Sequence, residues 1–133
     1  LKRMRQMGIW VEITTLVIPT LNDSDQEFEE IAQFIVSLGP EVPWHISAFY
    51  PTYKMLNLPR TSASSLHRAR EIGIKAGLRY VYCGNIPGEE GEDTFCPHCG
   101  RRLIERIGFR VTQNDVVNGA CRHCHGKIDG IWD

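Results

Sequence analysis

A strand-helix-strand-helix-strand unit followed by a small metal-stapled ribbon is the α/β fold that the sequence predicts, and three observations predict it. Over residues 9–86, β-branched and aromatic segments alternate with segments whose apolar residues recur at helical spacing. An acidic, glycine-bearing stretch, Pro87-Gly88-Glu89-Glu90-Gly91-Glu92-Asp93, then breaks that pattern. Beyond it, Cys96-Pro97-His98-Cys99-Gly100 and Cys121-Arg122-His123-Cys124 place two Cys-x-x-Cys pairs a loop of about twenty residues apart, close to the spacing of a four-cysteine zinc site. The expected organisation is an α/β part over 1–86, a linker over 87–93 and a zinc ribbon over 94–133.

The first strand is expected over residues 9–18, Ile-Trp-Val-Glu-Ile-Thr-Thr-Leu-Val-Ile, ending at Pro19. Ser24 with Glu27 three positions on forms a capping box, and Phe28, Ile31, Ala32, Ile35 and Leu38 then keep one helical stripe up to Gly39-Pro40. Residues 44–50, Trp-His-Ile-Ser-Ala-Phe-Tyr, read as the second strand, closed by Pro51; strand-helix-strand over this length is a right-handed βαβ unit. Residues 51–60 are loop-like and carry Tyr53, Lys54 and Met55. Thr61 is expected to cap a second helix running to about Ala76, with Leu66, Ala69 and Ile72 inward, Gly77 as its stop and Gly73 as an internal cost of about 1 kcal/mol. Leu78 to Cys83 is the third strand. In the ribbon, Leu103 to Val111 supplies a strand and Asn118-Gly119 a tight turn.

Composition narrows the class. Hydrophobic residues at 42% and charged residues at 23% describe a globular domain, and a net charge of −1 provides no general attraction to nucleic acid or an anionic membrane. No apolar run approaches the roughly 18 residues of a membrane span, and Leu1-Lys2-Arg3-Met4-Arg5-Gln6 leads into no signal-type segment. Five cysteines, four of them in metal-like pairs, argue for a reducing, cytoplasmic compartment.

Cys96, Cys99, Cys121 and Cys124 are the metal ligands by this reading. Four thiolates fill a tetrahedral shell, leave no open position, and so make a structural site. Zinc suits it, and iron in a rubredoxin-like S4 site stays open. Arg101, Arg102, Arg122 and Lys127 can offset the charge of the filled shell, or stand as ordinary solvated charges. Cys83, at a strand end in apolar surroundings, reads as an inert buried thiol. His98, His123 and His67 read as exposed bystanders.

Further stretches carry a resemblance. Val11-Glu12-Ile13-Thr14-Thr15-Leu16-Val17-Ile18-Pro19, Pro43-Trp44-His45-Ile46-Ser47, Ala69-Arg70-Glu71-Ile72, Ala76-Gly77-Leu78, Tyr80-Val81-Tyr82, Gly84-Asn85, Thr94, the first cysteine pair, Ile104-Glu105-Arg106 and Gly130-Ile131-Trp132 resemble the C-terminal half of radical S-adenosylmethionine enzymes of the AmmeMemoRadiSam system, relatives of pyruvate formate-lyase activating enzymes. The resemblance implies that residues 1–86 are the last strands and helices of a partial (β/α) radical SAM barrel. It implies S-adenosylmethionine near Val17, Ile18, Pro19, Phe49 and Tyr53, and substrate near His45, Tyr50 and Asn85. It implies partners too: the N-terminal part of the barrel, and a protein substrate docked on the ribbon. The family's [4Fe–4S] cluster needs Cys-x3-Cys-x2-Cys, which this sequence lacks, so the chain alone is expected to be inactive and the cluster to belong to a full-length parent. Ala48 stands where the family pattern leads one to expect Arg, and His125 where it leads one to expect Gly.

Two function classes follow. One is the C-terminal portion of a radical S-adenosylmethionine enzyme, the ribbon guarding its cavity or docking a protein. The other is a stand-alone zinc-ribbon adaptor that binds protein; the small local excess of base in the ribbon argues against nucleic acid. His45 and Asn85 each keep a structural reading, a hydrogen-bonded histidine and a turn cap, beside the ligand-binding one.

Overall fold

A computed structural model describes residues 1–19, 21–49, 61–84, 93–107 and 110–130. A short helix, α1 (Lys2–Gln6), which the apolar pattern does not announce, comes first. Its Arg5 pairs with Glu41 and reaches the Leu38 carbonyl at 3.3 Å. Three parallel strands follow, β1 (Ile13–Val17), β2 (Trp44–Ala48) and β3 (Val81–Gly84), each shorter than its apolar run. They lie in the order β1-β2-β3, with Ile13 opposite Trp44 and Trp44 opposite Val81.

The intervening helices are α2 (Asp25–Leu38) and α3 (Ala63–Ala76). Ser24 caps α2 as predicted: its hydroxyl accepts from the Glu27 amide at 3.2 Å and donates to the Glu27 carboxylate at 3.1 Å. The cap of α3 is Ser62, not Thr61, with the Ser65 amide at 3.2 Å from its hydroxyl. Thr61 is committed elsewhere. It is buried, its hydroxyl donates to the Val17 carbonyl at 2.5 Å and accepts from the Phe49 amide at 2.7 Å, and its own amide donates to the Phe49 carbonyl at 3.0 Å. Thr61 thus ties together the carboxyl ends of β1 and β2.

Both helices cover the same face of the sheet. Phe28 and Ile35 from α2 and Leu66 and Ala69 from α3 pack in one core with Val17, Trp44, Ile46 and Val81. Each large side chain there contributes about 1.5 to 3 kcal/mol through burial. Gly73 is what lets α3 sit down on the sheet: a Cβ there would lie 2.9 Å from Cε3 of Trp44. The opposite face, carrying Thr14, Leu16, His45, Ser47 and Tyr82, has no helix over it among the described residues, and Leu16 is 46% exposed.

The ribbon holds β4 (Thr94–Phe95), β5 (Arg102–Ile107) and β6 (Arg110–Asn114), antiparallel in that order, and a second pair, β7 (Val116–Val117) and β8 (Ala120–Cys121). The single strand expected over Leu103 to Val111 is in fact two strands folded back on each other, Ile104 opposite Asn114 and Ile107 opposite Arg110. Folding back pairs backbone groups that one straight strand would leave open. Asn118 and Gly119 take φ of 52° and 73° and make the predicted turn between β7 and β8.

The ribbon does not stand apart. Tyr80, just before β3, packs with Leu103, Ile104, Ile128, Cys96 and Cys121 in a second core, against which Tyr82 of β3 also lies. A cavity of about 160 Å³ marks the seam, lined by Glu12, Pro43 and Tyr80, the residues preceding β1, β2 and β3, and by Thr94, Arg106 and Asp129 of the ribbon side. The ribbon therefore meets the sheet at the amino ends of its strands. No helix among the described residues is long and apolar enough to cross a membrane.

Candidate metal centre

The two cysteine pairs come together as one quartet, with all four sulfurs within 4.8 Å of one another. The same local turn builds each half. In the first, the Cys96 amide donates to the Arg101 carbonyl at 2.8 Å and the Gly100 amide to the Cys96 carbonyl at 2.9 Å; in the second, Cys121 donates to the Gly126 carbonyl and His125 to the Cys121 carbonyl, both at 2.9 Å. Each turn reverses through a residue in the left-handed region, Gly100 at φ 77° and His125 at φ 63°. The turns leave amides pointing at sulfur: His98 and Cys99 at 3.3 and 3.4 Å from Cys96 Sγ, His123 at 3.3 Å from Cys121 Sγ.

The spacing fits one metal ion. Tetrahedral zinc with Zn–S of about 2.3 Å requires sulfurs about 3.8 Å apart; Cys96 and Cys124 stand at 3.7 Å, Cys99 and Cys121 at 3.8 Å. A four-iron cluster puts a separate iron under each thiolate and needs a wider quartet, so these cysteines do not suit one. Cys96 and Cys121 are buried and Cys99 and Cys124 exposed, so the centre lies at the ribbon surface with its inner half in the core.

The thiols push against one another. Burial opposes ionisation of Cys121, yet the amides of Cys124 and His123 and the neighbouring thiols outweigh it and draw the group down to about 6. Cys124 receives a hydrogen bond from the Gly126 amide, but burial and the three other cysteines push it up to about 11. Sulfurs this close cannot all ionise unaided, and a divalent cation among them removes the repulsion. The flanking cations have other partners: Arg101 meets His123 Nδ1 at 3.1 Å, Arg102 meets Asp93 at 3.4 Å, and Arg122 meets Asp115 at 3.6 Å.

The two histidines inside the Cys-x-x-Cys turns are outside the metal-holding set, but they are not idle. His98 of the first turn reaches across to the second, where its Nε2 meets the Lys127 carbonyl at 2.8 Å and its ring lies against Gly126. His123 of the second turn reaches back to Arg101, beside the first, and to Asp115 at 3.5 Å. Each half clasps the other. His125 is exposed and is not part of the quartet. The two turns share Cys-x-His-Cys, and that shared pattern, whose histidines read by sequence as bystanders, is the signal of a clasp that the structure shows instead.

The residues tied to S-adenosylmethionine and substrate fall in several places. Val17 is fully buried on the helix-covered side, and its carbonyl is taken by Thr61. Phe49 is buried and held by Thr61 through both backbone groups. Ile18 and Pro19 are half-buried, with the Ile18 amide donating to Asn22 Oδ1 at 2.6 Å. His45 lies on the face without helices, stacked on Tyr82 at 5.0 Å with Nε2 3.6 Å from Glu12. Tyr50, Tyr53 and Asn85 lie outside the described residues. Ala48 faces the helix-covered core. Cys83 is buried as expected, its thiol donating to the Leu66 carbonyl at 3.4 Å.

No protein-family model matches the chain. The chain is similar to an uncharacterized protein of the archaeon Methanocaldococcus jannaschii, with 44% identity over 131 residues that cover 96% of this chain and 39% of that protein. The chain thus spans well under half the length of this relative, and the match takes in both the three-stranded α/β part and the four-cysteine ribbon.

Proposed function

We propose that this chain is the C-terminal portion of a radical S-adenosylmethionine enzyme of the activating-enzyme kind, supplying three strands to a partial (β/α) barrel and carrying a structural zinc site. The observation that carries the reading is the winding of the sheet: strands in sequential order with both helices on one face, and no helix on the other among the described residues. A doubly wound sheet changes direction and carries helices on both faces, whereas a barrel advances strand by strand with every helix outside. Continued upstream of β1, such a sheet turns Thr14, Leu16, His45, Ser47 and Tyr82 inward, towards the cavity. A parallel sheet is stable when both faces are covered, so the partner is the cluster-bearing half of the barrel. The quartet is the closed shell of a structural site, which suits support of the fold better than chemistry, and its reduced thiols suit the cytoplasm.

The test uses the polypeptide extended upstream to the length of the archaeal relative. Reconstituted with iron and sulfide without oxygen, it is expected to show cluster absorbance and to release 5′-deoxyadenosine from S-adenosylmethionine, while the 133-residue chain does neither. An upstream sequence without Cys-x3-Cys-x2-Cys, or a reconstituted long chain that leaves S-adenosylmethionine intact, sinks the reading. One observation favours the adaptor reading instead: β6 is exposed along its whole length at the edge of its sheet, where an extended segment of another protein can add a strand.

A further inference from the structure

The two tyrosines that bracket Val81 each bond a residue flanking one cysteine turn. Tyr80 donates its hydroxyl to Asp129 Oδ2 at 3.0 Å and accepts from the Asp129 amide at 3.1 Å, while Arg79 meets the same carboxylate at 2.8 Å. Asp129 follows the second turn, whose Gly126 carbonyl accepts from Cys121. The Tyr82 hydroxyl meets Thr94 Oγ1 at 3.0 Å, two residues before Cys96, and the Arg106 guanidinium lies over its ring at 5.7 Å while bonding Thr94 at 2.8 Å. On the sheet side the Tyr82 ring carries the stacked imidazole of His45, which pairs with Glu12. Contacts through Tyr82 therefore lead from Thr94, just before the first cysteine turn, to His45 on β2, and contacts through Tyr80 lead from Asp129, just after the second turn, to the start of β3. Cys96 and Cys121 share a core with Tyr80, so the same packing that brings the sulfurs together seats the tyrosine.

We propose that metal binding in the ribbon sets the open face of the parallel sheet, with Tyr80 and Tyr82 as the two couplings, so that loading the quartet fixes β3 and the His45 imidazole. The inference rests on the ribbon holding a metal and is independent of the barrel reading. A ribbon of this size has little apolar core beyond the one it shares with Tyr80, so an ion at the quartet adds to what holds it in place. Losing the ion releases Asp129, Thr94 and Arg106, and with them the seat of both tyrosines. Thermodynamic reciprocity requires the converse: weakening the tyrosine contacts must weaken the hold on the metal.

The test uses the whole chain. Zinc uptake is measured first, then amide exchange with and without zinc, and then zinc transfer from Asp129→Asn and Tyr82→Phe variants to a chromophoric chelator. Zinc removal is expected to speed exchange at Val81–Gly84 about tenfold or more, with far less change within α2, and to move the His45 NMR signal but not that of His67. Asp129→Asn is expected to release zinc about tenfold faster, in the range typical of outer-shell changes, and Tyr82→Phe, which keeps the ring, severalfold faster. A chain that takes up no zinc overturns the metal reading and this inference together. One zinc per chain with unchanged exchange in β3 overturns the coupling alone. Should zinc removal unfold the entire chain, the variants decide: wild-type transfer rates overturn the coupling, and faster transfer supports it.

Discussion

Gly126→Ala probes the clasp between the two halves of the metal centre. The backbone at Gly126 lies outside the left-handed region, so alanine suits its conformation, but the new methyl would sit 2.4 Å from Cδ2 and 2.8 Å from Cγ of His98. Ordinary contact needs at least 3.4 Å, so the imidazole must retreat by about 1 Å, further than its 2.8 Å bond to the Lys127 carbonyl can follow. Losing that bond costs about 1 kcal/mol, and the displaced ring about another 1 kcal/mol as an off-rotamer side chain. Both costs fall on the folded, metal-holding form, and about 2 kcal/mol corresponds to a roughly 30-fold weaker zinc dissociation constant. His98→Ala removes the bond without the clash and should weaken zinc about fivefold. Adding Gly126→Ala to His98→Ala should then do nothing more, because the methyl has nothing left to strike. Competition with a chromophoric chelator measures all four proteins. A Gly126→Ala protein within twofold of wild type, or the same loss in the His98→Ala background, would refute the clasp.

Gly73→Ala should destabilise the α/β part by about 1 to 2 kcal/mol in urea, since overpacking against the buried Trp44, pinned by its 3.0 Å bond to Thr15, outweighs the roughly 1 kcal/mol gain in helix propensity; a stabilised variant contradicts that assignment. His125→Gly should raise the melting temperature, relieving about 1 kcal/mol of left-handed strain at φ 63°, and an unchanged or lower value means the turn carries no strain. Burial first, and the Asp129 carboxylate with it, raise the Tyr80 hydroxyl far above its usual range, so neutral Tyr80 supports the fold below about pH 10 and that support is lost as pH rises towards the folded value. Ultraviolet titration should accordingly show a late-ionising component that Tyr80→Phe diminishes; an undiminished late component places the delay elsewhere.

Most of the α/β part was legible because its signals are local. Ser24 with Glu27, the apolar stripe through Phe28, Ala32 and Ile35, and Gly77 at φ 113° each act within a turn of chain. The expected cap at Thr61 fails for the same reason: a threonine just before the helix satisfies the local rule, and only the nearness of Val17 and Phe49, 44 and 12 residues away, draws its hydroxyl off to the strand ends and leaves Ser62 to cap α3. By helix propensity alone Gly73 is a defect, yet Trp44, on β2, occupies the space it leaves. The folding back of β5 and β6 was likewise invisible to an apolar count, since β6 is exposed on both faces and has no inward stripe.

The four cysteines that could hold a metal were legible in the sequence alone, because Cys-x-x-Cys encodes its own turn and two such turns need only be brought together. What the tertiary structure decided is where that centre sits and what it touches. The acidic stretch over 87–93 suggested two separable parts, yet Tyr80, just before β3, and Tyr82, within it, pack with the ribbon's core, and the ribbon lies against the amino ends of the strands. Hydrogen bonds such as Tyr80 to Asp129, 49 residues apart, leave no periodicity in the sequence, because the free energy that makes them arises only when two distant surfaces have already met.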